Sequence, residues 1–320
     1  VNRLRVDLFM VGLVAMVLLA SLLPARGGVA EVLSPVTKSV VALLFFLHGA
    51  KLSRQAVVAG LTHWRLHLAV LAVSFLLFPL LGLAARLIPE TILPAPLALG
   101  VLYLCCLPST VQSSIAFTAL ARGNVAAAVC AATASNLLGM AVTPLLVGLT
   151  MHAQGAGLGW DAAGDIALQL LAPFIAGQLL RTWVAPVLER YKGVVGLVDR
   201  GSILLVVYAA FSQAVVEGVW TRLSVPELAV VTLLCAGLLA LVLGLSTALG
   251  KLLGFSIEDR IVLTFCGSKK SLVTGAPMAA ILFAPAVAGV MIVPLMIFHQ
   301  LQLLACAWLA RRYGERPEEA

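Results

Sequence analysis

Hydrophobic residues in this chain come in long blocks, without the alternation of a strand or the narrow apolar stripe of a surface helix. Ten blocks stand out, at about 6–23, 36–50, 66–87, 94–120, 125–150, 166–183, 202–219, 228–253, 261–283 and 287–309. Most approach the roughly 20 residues that a helix needs to cross a bilayer. The links between them are short and polar: Pro24-Ala-Arg-Gly-Gly28, Lys51-Leu-Ser-Arg54, the tight turn Arg122-Gly-Asn124, a Gly-rich stretch at 152–164 with Trp160 as an interfacial anchor, and a basic link at 189–200. The pattern predicts an all-α integral membrane protein with ten transmembrane helices.

Two blocks are interrupted. The fourth carries Pro108-Ser-Thr-Val-Gln-Ser-Ser114, and the ninth carries Gly267-Ser-Lys-Lys-Ser271. Lys269 and Lys270 fall where hydropathy puts the middle of the membrane. An ionisable group there costs roughly 2.5–3.5 kcal/mol on insertion scales. Consecutive helical residues point about 100° apart, so the pair cannot share one partner on an unbroken helix. Gly267, Gly275 and Pro277 permit a break. The alternative is that the lysines snorkel or pair structurally.

The ten spans divide into two sets of five, 1–160 and 161–320, each interrupted in its fourth span. An odd number of spans per half forces the halves to enter the membrane in opposite directions. Paired interruptions at corresponding positions point to an inverted-repeat transporter with broken helices 4 and 9. Charge placement sets the orientation. Arg26, Lys38, Arg86 and Arg222 are the four basic residues on one side, against fifteen on the side that holds both termini. The positive-inside rule then places both termini in the cytoplasm.

Composition agrees. Of 320 residues, 62% are hydrophobic and 11% charged, with mean hydropathy +1.08, which excludes an ordinary soluble domain. The net charge of +7 is topological, because basic residues lie between the apolar blocks, so no nucleic-acid partner is expected. All six cysteines fall inside apolar blocks without metal-type spacing. No motif for phosphate binding, acyl transfer or zinc hydrolysis occurs, so no enzymatic activity, cofactor or metal is expected.

If the two interruptions meet, freed backbone groups and half-helix ends face each other at mid-membrane. Ser109, Thr110, Gln112, Ser113 and Ser114 then join Ser268, Lys269, Lys270, Ser271 and Thr274, with Thr133, Ser135 and Asn136 from the fifth span. This set is the candidate substrate and ion site. Any one hydroxyl could instead be packing glue between helices. His48 and the run from His299 and Gln300 to Gln302 are further intramembrane polar groups, either proton-binding or structural.

Several segments together resemble one family. Leu44-Phe-Phe-Leu-His-Gly-Ala-Lys-Leu-Ser53, His63-Trp-Arg-Leu-His67, Ala119-Leu-Ala-Arg-Gly-Asn-Val125, Phe265-Cys-Gly-Ser-Lys-Lys-Ser-Leu272 and Pro294-Leu-Met-Ile-Phe-His-Gln300 are similar to the bile acid:sodium symporter family, also called solute carrier family 10. Within it they resemble the YfeH-like branch, which is similar to member 7. The resemblance covers nearly the whole chain. It implies ten helices, a panel domain (spans 1, 2, 6, 7), a core domain (spans 3–5 and 8–10), and crossing broken helices 4 and 9.

One departure changes the chemistry. Sodium-coupled members place a Glu and a Gln in the span 9 break, where this chain has Cys266-Gly-Ser-Lys-Lys-Ser271. Ala128 and Ala132 stand where those relatives have hydroxyls. The sodium ligands therefore do not carry over. The expectation is a secondary transporter of the inner membrane that moves a small organic anion by alternating access. In it, an ammonium of Lys269 or Lys270 takes the place of sodium, and coupling is to protons or absent. In a competing arrangement the lysines face the cavity and attract the anion directly. The alternatives are a non-transporting membrane sensor with a ligand in the same cavity, and a sodium-coupled symporter of bile-acid-like solutes.

Overall fold

The computed structural model describes residues 8–51, 63–152, 171–216, 218 and 224–316. Among these residues every regular element is helical. In chain order they are α1 (Leu8–Leu22), α2 (Gly28–Lys51), α3 (Trp64–Ala85), α4 (Ala95–Cys106), α5 (Gln112–Leu120), α6 (Val125–His152), α7 (Leu171–Leu179), α8 (Arg181–Arg190), α9 (Lys192–Val216), α10 (Val225–Leu252), α11 (Ile257–Gly267), α12 (Leu272–Leu282) and α13 (Pro285–Gly314). Trp160 and Arg222 lie outside the described residues.

Six of the described helices are long and apolar enough to cross a membrane, or seven if the bent pair α7 and α8 forms one span. The protein is therefore a multi-pass membrane protein. Its fourth and ninth apolar blocks are each split into two shorter helices. The sixth block departs from its expected course. The apolar run predicts one span at 166–183, but the chain bends by 87° between α7 and α8 at Leu180. The link expected at 189–200 is largely helical, divided between α8 and α9.

Two compact units emerge. The first holds the described residues within 1–52, 165–224 and 276–290; the second holds those within 53–164, 225–275 and 291–320. In the first unit α1 and α2 pack on α9, and Tyr208 donates to the Leu23 carbonyl at 2.8 Å. Helices α2 and α7 approach through glycines on both sides. A Cβ on Gly49 would strike the Phe174 carbonyl, and one on Gly177 would strike the Phe46 carbonyl. Close approach through small residues is how helices associate where lipid removes the hydrophobic drive.

The second unit assembles around the two breaks. At one end, the segment Ala119–Val125 is a helix stop followed by a helix start. Arg122 takes φ +53°, Gly123 N–H reaches the Thr118 carbonyl (2.8 Å) and Arg122 N–H the Ala119 carbonyl (3.1 Å). This is a Schellman closure of α5. Asn124 then caps α6 by accepting from Ala127 N–H (3.0 Å), while its amide donates to Asp259 (2.9 Å). On the α11 side Ser256 accepts from Asp259 N–H (3.2 Å), and Glu258 and Asp259 occupy the first turn. Acids are favoured there by the helix dipole.

Candidate functional site

The site begins with a proline. Helix α3 contains a π-helical stretch, Val73–Leu77, in which Phe78 N–H bonds to the Val73 carbonyl. In that register the Ser74 carbonyl would take its hydrogen from residue 79, which is Pro79 and has none. The Ser74 carbonyl is thus left without a donor inside its own helix.

Helix α4 leaves more carbonyls without helical donors where it stops before Pro108, and those of Cys105, Cys106, Leu107 and Pro108 find partners. Cys106 accepts from the Thr143 hydroxyl (2.8 Å), and Pro108 accepts from Ser271 N–H (2.9 Å). Cys105 and Leu107 accept from Lys270 Nζ at 2.9 and 2.6 Å, and Ser74 accepts from the same nitrogen at 2.8 Å. Three carbonyls therefore use all three donors of one ammonium. The Phe78 ring covers it at 4.0 Å, and Lys270 is 0% exposed. Because α4 ends here, its dipole also favours a cation at this point.

The backbone of Lys270 is held as firmly. Its N–H donates to Gln302 Oε1 and its carbonyl accepts from Gln302 Nε2, both at 2.9 Å. The Gln302 amide also reaches His299 Nδ1 at 2.8 Å, which makes Nδ1 the accepting nitrogen. His299 is thus part of the support of the break. Close backbone packing completes the region: a Cβ on Gly139 would lie 2.5 Å from Pro108 Cβ. Only glycine lets α6 approach the α4–α5 break this closely.

Lys269 points elsewhere. Its Nζ lies 3.8 Å from the centre of the Phe117 ring and 5.6 Å from that of Phe265. It is 0% exposed and has no hydrogen-bond partner among the described residues. The two lysines, adjacent in sequence, are thus in opposite states. One ammonium is fully hydrogen-bonded, and the other has only aromatic faces.

The hydroxyls predicted for the site largely satisfy the breaks. Ser109 N–H donates to Ser135 Oγ (3.1 Å). Thr110 Oγ1 pairs with Ser113 (2.8 Å) and Ser114 (3.0 Å), and Ser114 donates to the Phe265 carbonyl (3.2 Å). Ser268 donates to the Thr264 carbonyl (2.5 Å). Ser271 donates to Thr274, which donates to Asn136 Oδ1, at 3.0 and 3.1 Å. Gln112 is not drawn in. It begins α5 and is exposed. Thr133 and Gln300 are half-buried. His48 belongs to the first unit, half-buried with its ring edge-on to Phe45 at 6.1 Å.

Sequence reasoning expected freed backbone groups at the breaks but did not name the carbonyls of Ser74, Cys105 and Leu107, nor the rings of Phe78 and Phe117. Pro79 inside an apolar block was the available signal for the first of these.

The profile of the SBF-like CPA transporter family matches residues 7–315. This chain belongs to that family. Three relatives show its range. A Pseudomonas aeruginosa protein, Uncharacterized protein PA2026, is 56% identical over 319 residues, which is 99% of this chain and 96% of that protein. The Putative symporter YfeH of Escherichia coli is 51% identical over 314 residues, 98% and 94% of the two chains. Sodium/bile acid cotransporter 7 of Danio rerio is 28% identical over 315 residues, 95% and 92% of the two. The SBF-like transporter family thus includes the YfeH-like and cotransporter 7 relatives that the motifs pointed to, and no enzymatic family is indicated.

Proposed function

We propose that the protein is a secondary transporter that moves a small organic anion across the inner membrane by alternating access, without sodium. The observation that carries this reading is the Lys270 ammonium, held by the carbonyls of Ser74, Cys105 and Leu107. Carbonyl oxygens at a helix C-terminus form an electronegative cage, of the kind that holds a monovalent cation in transporters with broken helices. Here a tethered ammonium fills the cage, so no soluble cation is needed. The break contains no carboxylate, which agrees with this charge balance.

The finer architecture follows the same reading. Ten spans form two inverted five-helix repeats, 1–160 and 161–320, with broken helices α4–α5 and α11–α12. The chain divides into a panel (spans 1, 2, 6, 7) and a core (spans 3–5 and 8–10); the first compact unit holds described parts of spans 1, 2, 6 and 7 but also takes in residues 276–290, where span 9 ends and span 10 begins. Both termini are cytoplasmic, on the distribution of basic residues. The hydroxyls around the breaks and the unspent ammonium of Lys269 supply the polar side of the substrate path. Proton coupling remains compatible with an internal lysine; sodium coupling does not.

Uptake into proteoliposomes tests this directly. Labelled hexanoate and a labelled bile acid conjugate serve as probes of small and large anions. Saturable hexanoate uptake, equal in sodium and in choline, is the expected result. Saturable binding without uptake would favour a sensor. Bile acid uptake driven by a sodium gradient would favour the activity that the names of the cotransporter 7 relatives describe.

A further inference from the structure

The first unit contains a cavity of about 240 Å³ formed by α2, α9, the end of α12 and the start of α13. Its walls are mostly apolar, with Leu33, Val41, Ala210 and Ile281 among them. Lys38 is the single charged residue of the lining and is exposed, so it stands at the rim. No acidic residue lines the cavity, and Lys38 has no ion-pair partner among the described residues. Ser212 also lines it. This residue is 1% exposed, and its hydroxyl has no hydrogen-bond partner among the described residues. Thr37, by contrast, already donates to the Leu33 carbonyl at 2.8 Å.

An ammonium at the rim and a buried hydroxyl without a partner in the wall therefore border one apolar cavity. An ammonium and a hydroxyl both donate hydrogen bonds, and a carboxylate or sulfonate accepts them. A buried hydroxyl without a partner is unfavourable until something supplies one. A concave apolar cavity with a few convergent polar groups is the usual form of a small-molecule site. We propose that this cavity binds a small organic anion, its charged end on Lys38 and Ser212 and its apolar body against Leu33, Val41, Ala210 and Ile281.

Size narrows the ligand class. The volume lies below the roughly 300–1,000 Å³ typical of pockets for drug-sized ligands. It suits a short-chain carboxylate better than a conjugated steroid. The site rests on the transport reading for its use, as the place where the solute is first held, but its binding stands on the cavity alone. The headgroup of an anionic lipid has the same chemistry, so the two sources must be separated by experiment.

The full chain, purified in neutral detergent, is titrated with hexanoate and, in parallel, with hexanol, following the thermal unfolding midpoint. Hexanoate should stabilise saturably and hexanol should not. Lys38→Gln should weaken hexanoate binding about tenfold, as expected for loss of a charge-assisted hydrogen bond, while Lys38→Arg retains it. Ser212→Ala should weaken it several-fold. Equal stabilisation by acid and alcohol, or an unchanged midpoint series in Lys38→Gln, would overturn the proposal. Stabilisation by phosphatidylglycerol but not by phosphatidylcholine, with none by hexanoate, would overturn the free-solute assignment in favour of a lipid headgroup. Hexanoate uptake and binding that both survive Lys38→Gln would remove this site and leave the transport reading standing. Lys38-dependent binding without any uptake would do the reverse.

Discussion

Replacing Lys270 with methionine removes the ammonium and keeps much of the side-chain volume. Three carbonyls, those of Ser74, Cys105 and Leu107, then lose their shared donor in a site with no solvent access. Each buried carbonyl left unpaired costs about 1–3 kcal/mol. Loss of the contact with the Phe78 face at 4.0 Å adds up to about 2 kcal/mol. Relief of the ammonium's own desolvation, several kcal/mol, works in the other direction. Three unpaired carbonyls and the lost ring contact together outweigh that relief, for a net loss of about 3 kcal/mol or more. With roughly 2 °C per kcal/mol for a chain of this size, the Lys270→Met midpoint should fall by about 6 °C or more in detergent. Unfolding of membrane proteins in detergent is often irreversible, so wild type and variant are scanned at the same rate. A midpoint equal to or above wild type would refute the carbonyl cage as a stabilising feature.

Three further outcomes separate the parts of the account. Lys269→Met should leave the midpoint unchanged or raise it by about 1–3 kcal/mol equivalent, because that ammonium has no hydrogen bond to lose, and it should abolish hexanoate uptake; a fall as large as that of Lys270→Met would contradict the difference between the two lysines. Pro79→Ala returns an N–H to α3 that competes for the Ser74 carbonyl. Its midpoint should drop by the equivalent of about 1.5 kcal/mol despite the better helix former, and a rise would contradict this. Arg316 donates to the Ala121 and Arg122 carbonyls at 2.6 and 2.8 Å and pairs with Glu258 at 3.1 Å. Arg316→Ala should cost about 1–2 kcal/mol, but its double-mutant coupling to Glu258→Gln should stay below about 1 kcal/mol, because the carboxylate side chain is 45% exposed.

The legible parts of this protein are those encoded in side-chain type and spacing. Apolar blocks located most of the described helices, although α2 begins at Gly28 and α9 at Lys192, well before the blocks expected from 36 and 202, and Pro108 and the Gly267–Ser271 run marked both breaks. Asn136, expected near the second break, accepts there from the Thr274 hydroxyl. The bend at Leu180 was not legible, because the apolar run continues through it to Trp183. Gln112, expected at the breaks, opens α5 and is exposed, and polarity alone did not show that. The cage around Lys270 was half hidden for a more general reason. Its acceptors are backbone carbonyls, and a sequence does not show which carbonyls a helix end or a π turn leaves free. The different partners of Lys269 and Lys270 follow from the break itself, since residues 268–271 are not helical and adjacent side chains can diverge.

The central claim is that a tethered ammonium occupies a cation site. Equilibrium binding of radiolabelled sodium to the purified protein, wild type beside Lys270→Ala, tests it most directly. The small alanine side chain vacates the space among the Ser74, Cys105 and Leu107 carbonyls. The account predicts no saturable sodium binding to wild type and a new saturable site in Lys270→Ala that choline does not displace. Saturable sodium binding to the wild-type protein, unchanged by Lys270→Ala, would contradict it.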